Sequence, residues 1–289
     1  MIDFSLTDHP HRRLNLLTGE WVLNSPHRTK RPWLGQQEPE SLARLNQYEA
    51  DCYLCPGNTR ANGETNPDYE RTYVFQNDFS ALLNEEYSSV PESHPLLQIS
   101  VPKGECRVVC FSPRHDLTLP QLSQDQIVSV IDVWADQVSE LGQRYQWVQV
   151  FENKGEIMGC SNPHPHCQIW ASDQFPNEPY KEDRSQGDYL KQTDSNLLVT
   201  YQSLEEERKE RIVVENDGWM VVVPFWAIWP FETLILPKRH VLRMPDLLPD
   251  ERHSLADILG RLTRKYDNLF QVSFPYSMGW HGAPFSNTN

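Results

Sequence analysis

Apolar residues recur at the spacing of one helix face in two separate stretches of the chain. The first stretch follows Ser123 and Gln126, whose spacing is that of a capping box, and the second follows Pro249. The apolar positions are Ile127, Val130, Ile131, Trp134, Val138 and Leu141 in the first stretch and Leu255, Ile258, Leu259, Leu262, Tyr266 and Leu269 in the second. Each stripe predicts a helix that buries this face in a core.

Short runs rich in β-branched and aromatic residues predict strands on either side of these helices. The predicted strands are residues 21–24, 73–76, 107–112, 147–153, 164–171, 219–224 and 232–236. The strand at 164–171 is predicted to be the hairpin partner of the strand at 147–153. The charged run 205–211 predicts a solvated helix face or a hairpin connection.

The two halves of the chain repeat one order of elements. Pro113-Arg114-His115 ends a predicted strand in the first half, and Lys238-Arg239-His240 does so in the second, each followed by a helix. We therefore predict an α+β fold with antiparallel sheets and packed helices, built from two copies of one unit. The predicted domains are 1–176 and 177–289. The sequence ends where the second hairpin should form, so the second copy is expected to lack its last strand.

Composition narrows the classes of function. The chain has 289 residues and a net charge of −14, which disfavours non-specific binding to nucleic acid or acidic membranes. It has no apolar run of about 18 residues and no basic leader before an apolar segment, so we expect a cytoplasmic protein without a membrane span. In that compartment its six cysteines are expected to be thiols or metal ligands.

Cys52 and Cys55 form a C-x-x-C pair on a predicted turn. Such a pair is typical of half a structural zinc site, and two of the ten histidines would have to complete it, because the chain has no second C-x-x-C. A redox pair is the alternative. That pair should open a helix, whereas the turn here is followed by Asn-Thr-Arg-Ala-Asn-Gly-Glu, which opens no helix, and this favours zinc.

The predicted strand at 164–171 places His164, His166, Gln168 and Trp170 on one face. Its other face is apolar, with Cys167, Ile169 and Ala171. Two imidazoles and an amide on one face of a strand that is backed by a core indicate a functional site, although polar residues on an edge strand would give the same pattern. The basic cluster Arg28, Lys30 and Arg31 allows either a surface loop or a phosphate contact.

Several longer motifs give the chain a family resemblance. They are Cys52-x-x-Cys55, Asn77-Asp78-Phe79, Val150-Phe-Glu-Asn-Lys-Gly155, Gly159-Cys-Ser-Asn-Pro-His-Pro-His166, Gln168 and Ser273-Phe-Pro-Tyr-Ser-Met-Gly-Trp-His-Gly282. The chain resembles the galactose-1-phosphate uridylyltransferase family of the histidine-triad superfamily over nearly its whole length. The resemblance implies two histidine-triad-like units. It also leads us to expect that the chain lacks the family's C-terminal segment, which carries a second His-x-His.

The resemblance implies a two-step exchange on a histidine. UDP-glucose would give its uridylyl group to His166, and galactose 1-phosphate would then accept it. Gln168 stands where hydrolase relatives carry a third histidine, and an amide can donate to a phosphoryl oxygen but cannot act as a general acid or base. The Ser161 hydroxyl and the backbone N–H groups of the Gly159-Cys160-Ser161 turn are expected to hold phosphate oxygens.

The remaining site residues also follow from the resemblance. It implies a zinc ion held by Cys52, Cys55, His115 and His164, and a second site, for iron, to which Glu182 and His281 would contribute. It implies uridine and ribose contacts from Ala61, Asn77, Asp78 and Asn153. It further implies a homodimer in which Arg28 and Arg31 reach phosphate across the interface.

Two other functions are compatible with these residues. One is a nucleotide hydrolase or phosphorylase of the same superfamily, against which Gln168 and the zinc ligands count. The other is a shortened, zinc-binding form with little or no turnover, which the expected loss of the last strand suggests.

Overall fold

The structure is a computed structural model, and it describes residues 3–31, 45–88 and 94–285. The chain forms two compact units. Unit 1 comprises Met1–Leu42 and Asn177–His240, and unit 2 comprises Ala43–Pro176 and Val241–Asn289. Each unit draws on segments from both sides of residue 176, and the division into domains 1–176 and 177–289 stays a prediction.

The described residues form ten strands and four α-helices. In chain order these are β1 (His11–Leu14), β2 (Trp21–Asn24), β3 (Tyr73–Gln76), β4 (Gly104–Cys110), α1 (Gln124–Leu141), β5 (Trp147–Lys154), β6 (His166–Ser172), α2 (Asn177–Thr193), α3 (Leu197–Arg208), β7 (Ile212–Glu215), β8 (Trp219–Val222), β9 (Leu234–Pro237), α4 (Pro249–Phe270) and β10 (Tyr276–Trp280). None of the described helices is long and apolar enough to cross a membrane.

Unit 2 is built on an antiparallel sheet of five strands in the order β10-β5-β6-β4-β3. The predicted hairpin is present, with Phe151 of β5 opposite Gln168 of β6. Cys167, Ile169 and Ala171 of β6 are all at most 1% exposed, as their shared apolar face predicts. The α+β class with antiparallel sheets and packed helices is thereby confirmed, whereas the duplication and an incomplete second copy are not.

Both predicted helices of unit 2 form, and they pack against each other. The Ser123 hydroxyl accepts the backbone N–H of Gln126 at 3.3 Å, and the Gln126 side chain accepts the N–H of Ser123 at 2.9 Å, which is the predicted capping box. All six predicted core positions of α1 are buried.

The stripe of α4 is wrong at Leu269, which is 63% exposed. The last turn of α4 packs through Tyr266 and Phe270 instead. Their rings stack on Phe274 with centroid distances of 4.8 and 4.6 Å, respectively. Successive helix residues lie about 100° apart, so Leu269, which precedes Phe270, lies off the face that contacts Phe274.

Two strands of unit 2 begin at residues that differ from the predicted first residues. β6 starts at His166 rather than His164, because Pro163 and Pro165 have no N–H to donate to a ladder. β4 starts earlier than predicted, at Gly104. The neighbouring strand β6 continues to Ser172, which is opposite Gly104, and pairing with β6 therefore extends β4 to Gly104.

Unit 1 contains the β1–β2 hairpin and a three-stranded antiparallel sheet in the order β7-β8-β9. The charged run 205–211 is not solvated along its whole length, and the prediction of a solvated face is wrong at its first residue. Glu205 is fully buried on α3, and its carboxylate accepts a hydrogen bond from Arg211 at 2.8 Å. A charge can be buried when a partner compensates it, and that partner becomes visible only in the fold.

The helix-facing side of β5 carries a buried carboxyl group. Glu152 is 4% exposed and accepts a hydrogen bond from the Tyr276 hydroxyl of β10 at 2.9 Å. Lys154, two residues on, pairs with Asp267 of α4 at 3.4 Å. Burial raises the pKa of Glu152 to about 7, opposed by the Tyr276 hydrogen bond and by the charge of Lys154.

We expect Glu152→Gln to change how stability depends on pH. Between the unfolded pKa of about 4.3 and the folded pKa of about 7, the native carboxyl keeps a proton that the unfolded chain releases. The free energy of unfolding therefore falls as the pH rises through this window, and the amide avoids this loss. Urea unfolding should show the variant gaining up to about 3 kcal/mol on wild type between pH 5 and pH 8.

The control for this prediction is Glu156→Gln, which alters an exposed carboxylate in the loop after β5. It should shift the pH dependence by less than about 0.5 kcal/mol. A difference between Glu152→Gln and wild type that stays constant from pH 5 to pH 8 would contradict the raised pKa.

Candidate functional site

Four buried side chains of unit 2 converge on one point. Cys52, Cys55, His115 and His164 each offer one ligand atom, and these atoms all lie within 4.8 Å of one another. Cys55 Sγ is 3.7 Å from His115 Nδ1 and 3.5 Å from His164 Nδ1. Three separate segments supply the four groups, which explains why the spacing along the sequence could not identify the histidines.

The donor set fits a tetrahedral metal ion. Bonds of about 2.3 Å to sulfur and about 2.0–2.1 Å to nitrogen, at a tetrahedral angle, place the two ligand atoms about 3.6 Å apart. The distances from Cys55 Sγ to the two imidazole nitrogens match this value. All four residues are at most 7% exposed, so the cluster is closed to solvent. A closed set of four protein ligands is typical of a structural site.

The groups behind the cluster orient its ligands. His164 Nε2 lies 2.9 Å from the carbonyl oxygen of Ser112 and 3.0 Å from the hydroxyl of Tyr69, which itself donates to the Leu54 carbonyl. With Nε2 donating its proton to the Ser112 carbonyl, the lone pair of His164 is on Nδ1, which faces Cys55. Such a partner on the second nitrogen is usual for a metal-bound imidazole.

Asn162 connects the cluster to the turn before β6. Its side-chain oxygen accepts the backbone N–H of His164 at 2.9 Å, and its amide nitrogen lies 3.4 Å from Cys52 Sγ. The backbone N–H of Leu54 also donates to Cys52 Sγ, at 3.4 Å. These donors would stabilise a thiolate and also hold the start of β6 against the C-x-x-C turn.

The cluster and His166 lie on the same face of the five-stranded sheet. Cys110 is opposite His166 in the ladder, and Val108 is opposite Gln168. Both residues belong to the apolar cluster that contains Cys52 and Cys55. Directly opposed residues of an antiparallel pair share a face, so the C-x-x-C turn, His166 and Gln168 lie on one side of the sheet.

The tautomer of His166 is set by the backbone carbonyl of His164. Its Nδ1 lies 2.7 Å from the carbonyl oxygen of His164, which can only accept a hydrogen bond. Nδ1 therefore carries the proton, and the lone pair is on Nε2. Burial lowers the pKa of His166, and the hydrogen bond to the His164 carbonyl opposes this shift. The ring is consequently neutral near pH 7.

His166 lines an open pocket of about 300 Å³. Its wall consists of Phe151, Asn153, Gly159, Cys160, Ser161, His166, Cys167 and Gln168. Gly159 has a φ of +81°, in the left-handed region that favours glycine, and it turns the chain into the Cys160-Ser161 segment. The pocket therefore combines a neutral imidazole, two amides and a glycine turn, which are groups suited to a phosphate ester.

Five other predicted site residues lie outside this lining. Asn77 and Asp78 follow β3, and the Asp78 carboxylate pairs with the buried Arg60 at 3.1 Å, next to Ala61. Arg28 and Arg31 lie in unit 1, where both are exposed.

The two predicted ligands of the second metal site belong to different units. Glu182 is on α2 in unit 1, and His281 follows β10 in unit 2. That second site therefore stays a prediction.

A closed cysteine–histidine cluster that could hold a metal ion, on the same sheet face as a histidine in a polar pocket, defines an α+β protein with a candidate metal centre and a candidate reaction site. Two family models match the chain. Residues 2–176 match the N-terminal domain of galactose-1-phosphate uridyl transferase, and residues 182–289 match its C-terminal domain. The chain belongs to the galactose-1-phosphate uridylyltransferase family.

Individual relatives agree with the family models. A galactose-1-phosphate uridylyltransferase of Haemophilus influenzae is 57% identical over 98% of this chain and 81% of its own length. The enzyme of that name from Rattus norvegicus is 53% identical over 97% of this chain and 74% of its own length. A solved uridylyltransferase superposes with a TM-score of 0.74 at 26% identity, covering 96% of this chain and 81% of the solved chain.

The C-terminal match corrects one expectation. The chain was expected to lack the family's C-terminal segment, but the C-terminal family domain is present at residues 182–289. Neither an internal repeat with a missing last strand nor one missing His-x-His motif defines the limits of a family domain.

The sequence reasoning missed several residues that the structure brings to the site. These are Asn162 and Tyr69 beside the cluster, and Arg60 beside Asp78. Asn162 lies within the recognised motif and precedes two proline–histidine pairs, which is a local signal. Tyr69 and Arg60 carry no such signal, because their contacts join segments 95 and 18 residues apart.

Proposed function

We propose that this chain transfers a uridylyl group from UDP-glucose to galactose 1-phosphate through a covalent intermediate on His166. The family supports the overall reaction, since relatives that are 57% and 53% identical bear the name of this activity. The observation that carries the mechanism is the hydrogen bond from His166 Nδ1 to the His164 carbonyl, because it leaves the Nε2 lone pair for attack.

The proposed exchange consists of two displacements at phosphorus. His166 Nε2 would attack the uridylyl phosphorus of UDP-glucose, and the P–O bond to the departing glucose 1-phosphate would break. A phosphate oxygen of galactose 1-phosphate would then attack, breaking the N–P bond and regenerating the imidazole. Entering and leaving groups are both sugar phosphates of similar basicity, so neither step needs a strong general acid.

The groups around His166 would stabilise the phosphoryl oxygens. We assign this role to the Gln168 amide and to the hydroxyl and backbone N–H of Ser161. The backbone N–H groups of Gly159 and Cys160, which the sequence also predicted for this role, instead donate to the carbonyls of Glu156 and Gly155 at 2.9 and 3.3 Å. Asn153 lies in the same wall and would contact the uridine part. The further contacts from Ala61, Asn77, Asp78, Arg28 and Arg31 follow from the family resemblance and belong to the proposal.

The Cys52, Cys55, His115 and His164 cluster would hold zinc. Two thiolates and two imidazoles in a closed tetrahedron suit that ion, and such an ion contributes folding free energy rather than Lewis acidity. The cluster would position His166 and take no direct part in the chemistry. Its member His164 would be a ligand through its side chain and orients the His166 ring through its backbone carbonyl.

We also infer a homodimer in the cytoplasm and a duplication of one order of elements along the chain. The family resemblance supports the dimer. The repeated order of two strands, a helix and a third strand supports the duplication, in β3-β4-α1-β5 and again in β8-β9-α4-β10. Analytical ultracentrifugation of the purified chain would test the dimer.

A nucleotide phosphorylase or hydrolase is the second candidate. An ADP-glucose phosphorylase from Arabidopsis thaliana superposes with a TM-score of 0.74 at 24% identity, over 96% of this chain and 84% of its own, and this likeness shows a shared fold only. Gln168 counts against hydrolysis, because an amide cannot deliver a proton to a leaving group or take one from water.

Uridine-labelled UDP-glucose separates these candidates. We expect the chain to acquire one uridylyl group, seen as a mass increase, and to release glucose 1-phosphate. Galactose 1-phosphate should then discharge the adduct as UDP-galactose. Release of free UMP without a sugar acceptor would indicate a hydrolase, and the absence of both adduct and turnover would contradict the proposed function.

A further inference from the structure

The indole of Trp170 contacts the amide of Gln168 on the pocket side of β6. Trp170 Nε1 donates to Gln168 Oε1 at 3.0 Å. The two residues are two positions apart on one strand, so their side chains share the face that also carries His166. No role for Trp170 follows from the transfer chemistry described above.

The chemistry of this contact determines which way the amide faces. An indole N–H is a donor with no acceptor capacity, so its partner on a glutamine side chain must be the oxygen. The amide NH₂ group then points away from the indole. Without that donor, the two amide orientations would differ little in shape, and one of them would present an oxygen lone pair to the anionic phosphoryl group.

The indole is itself held by a neighbouring strand. The ring of Phe151 on β5 meets the ring of Trp170 edge-on, with centroids 5.5 Å apart and an angle of 82° between the planes. Phe151 is also directly opposite Gln168 in the ladder and lines the same pocket. The edge-to-face contact favours one indole orientation and so directs the N–H at Gln168.

We propose that Trp170 is a positioning residue that fixes the Gln168 amide with its NH₂ group toward the phosphoryl group on His166. This inference rests on the proposed uridylyl transfer. It explains how a residue with no acid or base function can serve as a directed donor. It also explains why an aromatic residue stands at position 170. Trp170 is 37% exposed, so core packing does not require an aromatic side chain there.

Trp170→Phe tests the proposal, because phenylalanine keeps an aromatic ring beside Phe151 and removes only the N–H donor. We expect the single-turnover rate of uridylyl transfer to His166 to fall about 3- to 30-fold, with a smaller change in UDP-glucose affinity. In a Gln168→Ala background the same substitution should have almost no further effect, because the group that it positions is gone. Equal rate losses in both backgrounds, or no loss in either, would overturn the proposal.

Trp147→Phe is the matched control. Trp147 lies on β5 of the same sheet, packs against Phe175 with centroids 5.0 Å apart, and its indole nitrogen makes no hydrogen bond to any described residue. This variant should lower the melting temperature at least as much as Trp170→Phe and leave the transfer rate within about twofold of wild type. A matching loss of transfer in the control would mean that the effect of Trp170→Phe is general to the sheet.

A second readout does not depend on activity. The indole ¹H–¹⁵N resonance that disappears in Trp170→Phe identifies Trp170 Nε1 among the nine tryptophans of the chain. In Gln168→Ala this resonance should move upfield and exchange faster with water, as expected for a lost hydrogen bond. An unchanged resonance would overturn the positioning contact. A shifted resonance in a chain that forms no uridylyl adduct would leave the contact intact and reject the proposed function instead.

Discussion

Replacement of His166 by alanine is expected to abolish the covalent uridylyl adduct and to lower uridylyl transfer by at least about 10⁴-fold. The reason is that the variant lacks the Nε2 lone pair that would form the N–P bond. Because the His166 ring is only partly buried and its Nδ1 contacts the carbonyl of His164, only two residues away, the fold should survive. Intact-protein mass spectrometry after incubation with UDP-glucose measures the adduct, and coupled assay of UDP-galactose measures turnover.

His253→Ala is the matched control for this experiment. It removes an exposed imidazole from α4 in the same unit and should leave both adduct and turnover unchanged. An adduct of normal stoichiometry on His166→Ala would show that another group is the nucleophile.

Cys52→Ser should lose the bound metal and stability together. A serine hydroxyl is a poor ligand, and the three remaining groups would hold a metal ion too weakly to retain it. Structural zinc contributes about 10–16 kcal/mol of binding free energy, so the loss of one ligand should cost at least about 3 kcal/mol. For a chain of this size that corresponds to about 6–12 °C in melting temperature. Metal content by elemental analysis and calorimetric melting measure the two effects on one sample.

Cys106→Ser provides the comparison. Cys106 is also fully buried, on β4 of the same sheet, but lies outside the cluster. It should cost about 1–2 kcal/mol for burying a hydroxyl and should retain a full equivalent of metal. Cys52→Ser protein with full metal content and an unchanged melting temperature would reject the ligand assignment. A parallel loss of adduct formation in Cys52→Ser would further support the positional role of the cluster.

Local patterns were sufficient for most elements of unit 2. The capping box at Ser123 and the stripe of α1 predicted that helix to within a residue of its observed start. The strand at 73–76 and the β5–β6 hairpin were predicted from short apolar runs alone. These features depend on neighbours three or four residues apart, or on strict alternation, so the information lies within each segment.

The patterns failed where a contact beyond the end of a helix decides. Glu205 is part of a charged run, yet it is buried because Arg211 pairs with it. Leu269 fits a helix stripe, yet it is exposed because Tyr266 and Phe270 face Phe274. The first residue of β6 is His166 rather than His164, because Pro163 and Pro165 have no N–H to donate to the ladder.

In the candidate site, too, some features follow from local sequence and others depend on the tertiary structure. The sequence by itself determined the residue types, since the cysteine pair and the His-x-His-x-Gln alternation are local and chemically specific. Only the tertiary structure decided that His115 and His164 meet Cys55 at 3.7 and 3.5 Å, and that the His164 carbonyl fixes the His166 tautomer. It also decided which way the Gln168 amide faces, through the Trp170 indole. Distances and hydrogen-bond directions between separate segments depend on the packing of the whole sheet, which no single segment specifies.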